Sequence, residues 1–168
     1  MDARTAARAW TDAWNRAWRV LDAAPLEAVY TEDAVHHSHP FREPQHPLDY
    51  ARWAFAEEEG EPELWWGEPL VDGDRATVEW WAVVVENGEL TSLAGTSWLR
   101  FAADGRVTEQ HDYWGTASGR IHVMKRISDR RIFAAPDTIA VIPRALLPRV
   151  TGISSMVARS SEIRASSM

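Results

Sequence analysis

A chain of 168 residues, 45% of them hydrophobic, has the length for one buried core and is short for two. It shows no run near the roughly 18 apolar residues of a membrane span, no apolar signal region after Met1-Asp2-Ala3-Arg4, and no cysteine for disulfides, thiolate metal sites or thiol nucleophiles. The net charge of −7 divides into −13 over residues 1–119 and +6 over residues 120–168. An acidic body of this kind disfavours nucleic acid, whose phosphates need a basic face.

Residues 4–22 read as an amphipathic helix, with Trp10, Trp14 and Trp18 at spacing four in one stripe. Pro25 then suits the first position of a short second helix, Leu26 to about Thr31, with Leu26, Val29 and Tyr30 on its buried side. Val35 to His39 is a candidate strand stopped by Pro40. Alternation puts His37 and His39 on one face and His36 and Ser38 on the other. Arg42 to Pro47 is a proline-punctuated loop, and a third helix runs from about Leu48 to Glu58 with Tyr50, Trp53 and Ala54 on one side. Glu57 to Pro62 reads as a solvated acidic loop.

From Glu63 the pattern becomes a sheet. Glu63 to Val71 is one strand, and Asp72-Gly73-Asp74 turns the chain. Arg75 to Glu86 is a long second strand, carrying Trp80 and Trp81, and Asn87-Gly88 marks a hairpin. Leu90 to Phe101 follows, with Gly95 predicting a bulge or a close backbone approach. Ala103-Asp104-Gly105 leads into a last strand, Arg106 to Trp114. Helices followed by long antiparallel strands predict an α+β fold, three N-terminal helices packed in a strongly curved antiparallel sheet. All ten tryptophans lie at or before Trp114. The reading is therefore a domain over residues 1–115 and a basic, partly helical or disordered extension over 116–168.

The tryptophan helix, the segment from Leu26 to Val35, and Gly105-Arg106-Val107-Thr108-Glu109-Gln110-His111-Asp112-Tyr113-Trp114 resemble the SnoaL-like branch of the nuclear transport factor 2-like superfamily over about residues 5–115. The resemblance implies a cone with a deep pocket at its open end and pairing of two copies through the sheet. It implies a polyketide cyclase, isomerase or epoxide-hydrolase type of activity, or a non-catalytic binding domain, because one scaffold hosts all of them. It also implies site positions: His39, directly before Pro40, where isomerase relatives carry a carboxylate base, and Asp112, the last-strand aspartate of cyclase-like members.

Together His39 and Asp112 are the candidate catalytic residues, a histidine already near neutral pKa beside a carboxylate that can orient it. Glu109 is the backup base, and Tyr30, Tyr50 or an indole N–H is the candidate donor to a developing oxyanion. Trp14, Trp18, Tyr30, His37, Tyr50, Trp53, Trp80, Trp98 and His111 are the candidate substrate-binding residues, walls for a small hydrophobic ligand. His37-x-His39 with His111 or Asp112 is a weaker metal reading. The expectation is a cytoplasmic homodimer with no organic cofactor, no metal, no nucleic acid and no membrane partner, acting as an acid/base enzyme or a ligand-binding or dimerisation module.

Overall fold

The computed structural model describes residues 1–121, and the extension expected over 116–168 lies outside them beyond Ile121. Helix α1 spans Ala3–Val20 and opens on Asp2, whose carboxylate accepts the Thr5 N–H at 3.0 Å. Its inner stripe is Trp10 and Trp14 set among Ala6, Ala7, Ala13 and Ala17, all buried. The alanines let the helix axis approach the sheet while the indoles fill the space between. Leu21 closes the helix in the left-handed region, at φ 54°.

The short second helix is not formed. Ala24–Leu26 makes one 3-10 turn, and the chain then enters strand β1, Tyr30–His37. Pro25 still takes the early helical position. The helical spacing of Leu26, Val29 and Tyr30 spans that turn and the first residue of the strand. Between Tyr30, which faces Val107, and Val35, which faces Glu109, the register slips, and Tyr30 and Ala34 are buried with Glu32 exposed between them. Two helices remain, α1 and α2, the latter Pro47–Ala56 with His46 as its cap.

Six strands form one curved sheet: β1, β2 (Glu59–Trp66), β3 (Leu70–Asp72), β4 (Arg75–Glu86), β5 (Glu89–Phe101) and β6 (Val107–Ser118). Their order is β1-β6-β5-β4-β2, with β3 also on β4. The sheet is mixed rather than wholly antiparallel, because β1 lies parallel to β6. The single strand expected over Glu63–Val71 is two, divided at Gly67-Glu68-Pro69, and both pair with β4. The acidic stretch read as a loop supplies the start of β2 at Glu59. Strand β6 continues to Ser118, which pairs with Thr91, so the sheet runs past the expected boundary.

The turns follow local chemistry. Asn87 and Gly88 both have positive φ, 53° and 77°, as a two-residue hairpin requires. Along β4 the alternation is regular, with Ala76, Val78, Trp80, Ala82 and Val84 buried. These side chains, with Leu99, Phe101 and Val107, face α1 and make the core.

Candidate functional site

The inner face of β6 carries Gln110 and Asp112, and the inner face of β1 carries His36 and Ser38 just past its end. Because β1 pairs with β6 in the register His36 to Gln110, the two inner rows lie side by side. His36, fully buried, donates from Nε2 to Asp112 Oδ2 at 2.7 Å. Asp112, 7% exposed, also accepts from Ser97 Oγ at 2.7 Å and from the Gln110 amide at 3.0 Å. Trp80 in turn donates to Ser97 Oγ at 3.0 Å. One carboxylate thus gathers donors from three adjacent strands, which answers most of the cost of burying it.

Below this group the expected hollow is filled. Trp10 and Trp14 both donate their indole N–H to the Tyr30 hydroxyl, at 2.7 Å each, and that hydroxyl donates to Gln110 Oε1. Burial holds the Tyr30 phenol far above its ordinary pKa, against the lowering effect of the two indoles. Its proton is committed to Gln110, so Tyr30 is no free oxyanion donor, and Trp14 belongs to the packed floor.

Above it lies a rim. The Tyr50 ring stands edge-on to His36 at 4.7 Å, and Tyr50 meets Trp53 at 6.0 Å. Burial, followed by the Asp112 charge, pushes the Tyr50 phenol up to about 12. Arg42 comes from a loop closed by Gln45, which exchanges both backbone bonds with His36 at 2.9 and 3.1 Å. Its guanidinium lies 5.7 Å from the Trp53 ring and 5.6 Å from the Trp114 ring. Trp114 donates to the Ser38 carbonyl at 2.7 Å. Trp18 packs on Trp80 at 6.1 Å and donates to Glu58 at 3.1 Å, and burial raises the Glu58 carboxyl above its ordinary range.

The sequence-predicted positions divide between the two faces. Asp112, Trp80, Trp18 and Tyr50 are brought together on the inner side. His39 is not with them: it lies past the end of β1, its ring against Phe41 and Trp114, and makes no hydrogen bond to Asp112. Burial and then the Arg42 charge hold its imidazole below the usual histidine range. His36 takes the place beside Asp112 because, beyond the register slip, Ala34 and His36 face inward. His37 and His111 sit on the outer face instead, stacked at 4.3 Å with planes 9° apart. His111 pairs with Glu109 at 2.8 Å, and Trp98 stands edge-on to His111 at 5.3 Å beneath Arg75 and Arg100. Glu109 is therefore outside the site as well. The metal reading fails on the same division, and no set of three or more metal-ligating side chains occurs among the described residues.

His36, Ser97, Gln110 and Arg42 are among the site residues that escaped the sequence reading, as are Ser38 and Trp114. The parity of β6 was a usable signal, since Gln110 shares the face of Asp112. Nothing local marked Arg42, which depends on the fold of its loop.

A curved mixed sheet wrapped on a tryptophan helix, with a carboxylate–imidazole pair on its concave side, defines a class of small α+β domains. The chain belongs to the SnoaL-like domain family, whose model matches residues 7–110. Solved structures share the fold. The epoxide hydrolase/cyclase-like enzyme SalBIII, of pyran ring formation in the polyether salinomycin, superposes with TM-score 0.59 at 13% identity, over 70% of this chain and 98% of that one. An LEH-like epoxide hydrolase of M. tuberculosis gives 0.51 at 18% identity, over 66% and 82%. An NTF2-like protein of unknown function from Exiguobacterium sp. 255-15 gives 0.52 at 14% identity, over 64% and 95%. A search of curated proteins returns no match to the chain.

Proposed function

We propose that the chain binds a small hydrophobic molecule at the inner rim and acts on it by cofactor-independent acid/base chemistry of cyclase, isomerase or hydrolase type. The observation that carries this reading is the His36–Asp112 pair. An ionised Asp112 can only accept, so the proton it receives sits on His36 Nε2, and in the neutral ring the other nitrogen, Nδ1, carries the lone pair. Nδ1 is buried and has no hydrogen-bond partner among the described residues. Such a nitrogen is a general base, and Asp112 is the positioning residue that stabilises the imidazolium once a proton is taken.

In this mechanism Nδ1 takes a proton from carbon next to a carbonyl or from a water molecule. Tyr50, beside His36, donates its hydroxyl to the developing oxyanion, in place of Tyr30. Trp18, Trp80 and Trp114 supply apolar wall, which supports a hydrophobic ligand. The outer face supports pairing of two copies: Tyr113 is 51% exposed and Val35 40% exposed on either side of the His37–His111 stack.

The test is turnover of a polyketide, epoxide and ketosteroid panel by the wild type, His36→Gln and Asp112→Asn. Loss of about 10²–10⁴-fold in kcat for His36→Gln, the range for a removed general base, is the expected result. Equal rates in the folded variant remove the dyad from any reaction. A saturable ligand without turnover favours the binding-module reading, to which the fully satisfied bonding around Asp112 already lends support.

A further inference from the structure

Four buried side-chain atoms among the described residues have no hydrogen-bond partner, and three of them, His36 Nδ1, Ser38 Oγ and Arg42 Nη1, come from one short stretch of chain. Buried polar groups are nearly always paired, so three together mark a place where something else completes them. They also share one rim. His36 touches Tyr50, Tyr50 touches Trp53, Arg42 spans Trp53 and Trp114, and Trp114 is bonded to the Ser38 backbone. These contacts link the residues that carry the unpaired atoms into one circuit.

The chemistry within that circuit is asymmetric. Nδ1 is the base already described, whereas Arg42 and Ser38 bring a permanent positive charge and a hydroxyl. No carboxylate of the described residues forms an ion pair with Arg42. A guanidinium held between two indoles keeps its planar fork in one orientation and sheds part of its water, which favours an anionic partner. Ser38, fully buried, adds a donor that a neutral apolar ligand would leave unused.

We infer that Arg42 and Ser38 form a carboxylate-binding subsite, so that the ligand of this rim carries an acid group beside its hydrophobic body. The inference rests on the rim being a ligand site and adds its polarity. A carboxylate bound at Arg42 anchors the ligand next to His36 Nδ1 and leaves its apolar body against the tryptophans. These residues share no element: Ser38 follows β1, Arg42 lies in the loop and Trp114, which packs against Arg42, lies on β6.

Isothermal titration of the full chain with naphthoate and with its neutral amide, naphthamide, tests this. In the wild type naphthoate binds at least ~10-fold tighter than naphthamide, as a charge-assisted bond requires. Arg42→Gln brings the two affinities within about twofold, because the charge that separates them is gone. Arg42→Lys keeps part of the preference, and Ser38→Ala narrows it without touching the arginine. Equal binding of both probes by the wild type, or an unchanged ratio in Arg42→Gln, overturns the carboxylate subsite and leaves the ligand site standing. No saturable heat with either probe overturns both.

Discussion

Gly95 lies opposite Trp114 on β6 and beneath Trp80 on β4, so closely that a Cβ built on it would be 2.6 Å from Trp114 Cβ and 2.7 Å from Trp80 Cζ2. The missing side chain is what lets two indoles meet on the concave face. Because Trp80 donates to Ser97 and Ser97 to Asp112, the position of that indole is transmitted to the carboxylate.

Gly95→Ala forces that contact apart. Overpacking of this kind costs about 1–3 kcal/mol. Urea unfolding should show the loss, and Trp80 fluorescence should shift as its indole leaves Ser97. An unchanged midpoint would mean the sheet opens freely at this point.

Ser97→Ala leaves the Trp80 N–H without its acceptor and removes one donor from Asp112. A buried donor left unpaired costs about 1–3 kcal/mol. Ser97→Thr restores the hydroxyl and should recover part of the loss. Equal stability of the alanine and threonine variants would show that the hydroxyl is not what matters.

Tyr30→Phe removes a hydroxyl that takes two indole protons and gives one to Gln110. Trp14 has no second acceptor among the described residues, whereas Trp10 retains Gln110 at 3.3 Å. The expected loss is again about 1–3 kcal/mol, read as a lower midpoint with wild-type α-helical circular dichroism.

Two groups contribute at opposite ends of the pH profile. Tyr50 holds its proton up to about 12 against an ordinary 10.0, so the folded state binds it more tightly than the unfolded chain does. Its contribution is complete below pH 10.0 and is lost as pH rises towards about 12. Tyr50→Phe should flatten the alkaline fall in Tm over that window, and a fall of the same size in the variant would assign it elsewhere.

Glu58 is raised above the ordinary 4.5, chiefly by burial, with its Oε1 unpartnered. Its stabilising influence is therefore full at acid pH and declines as the pH rises past that value. Glu58→Gln keeps the acceptor for Trp18 and removes the charge. Its Tm should exceed the wild-type Tm at pH 7 by more than it does at pH 4, and a constant difference would mean the carboxyl is not desolvated.

Much of the fold was legible from short-range chemistry. Asn87-Gly88 required a hairpin, the alternation of Arg75 to Glu86 required a half-buried strand, and the spacing of Trp10, Trp14 and Trp18 required a helix with an apolar face. Asp112 was singled out by the resemblance of the last strand to SnoaL-like sequences. These signals depend on neighbours within a few residues, which a sequence records directly.

Alternation, however, defines two faces of a strand without saying which one is covered. The proline after His39 drew the sequence reading to the odd face of β1, and the parallel register with β6 turned the even face inward, bringing His36 to Asp112. The spacing of Leu26, Val29 and Tyr30 read as a helix, because only the pairing of Tyr30 with Val107, far along the chain, draws that segment into a strand. Arg42 became part of the rim only when Gln45 bonded back to His36. Covered face, strand register and loop closure arise from contacts between distant segments, so the tertiary structure alone decided them.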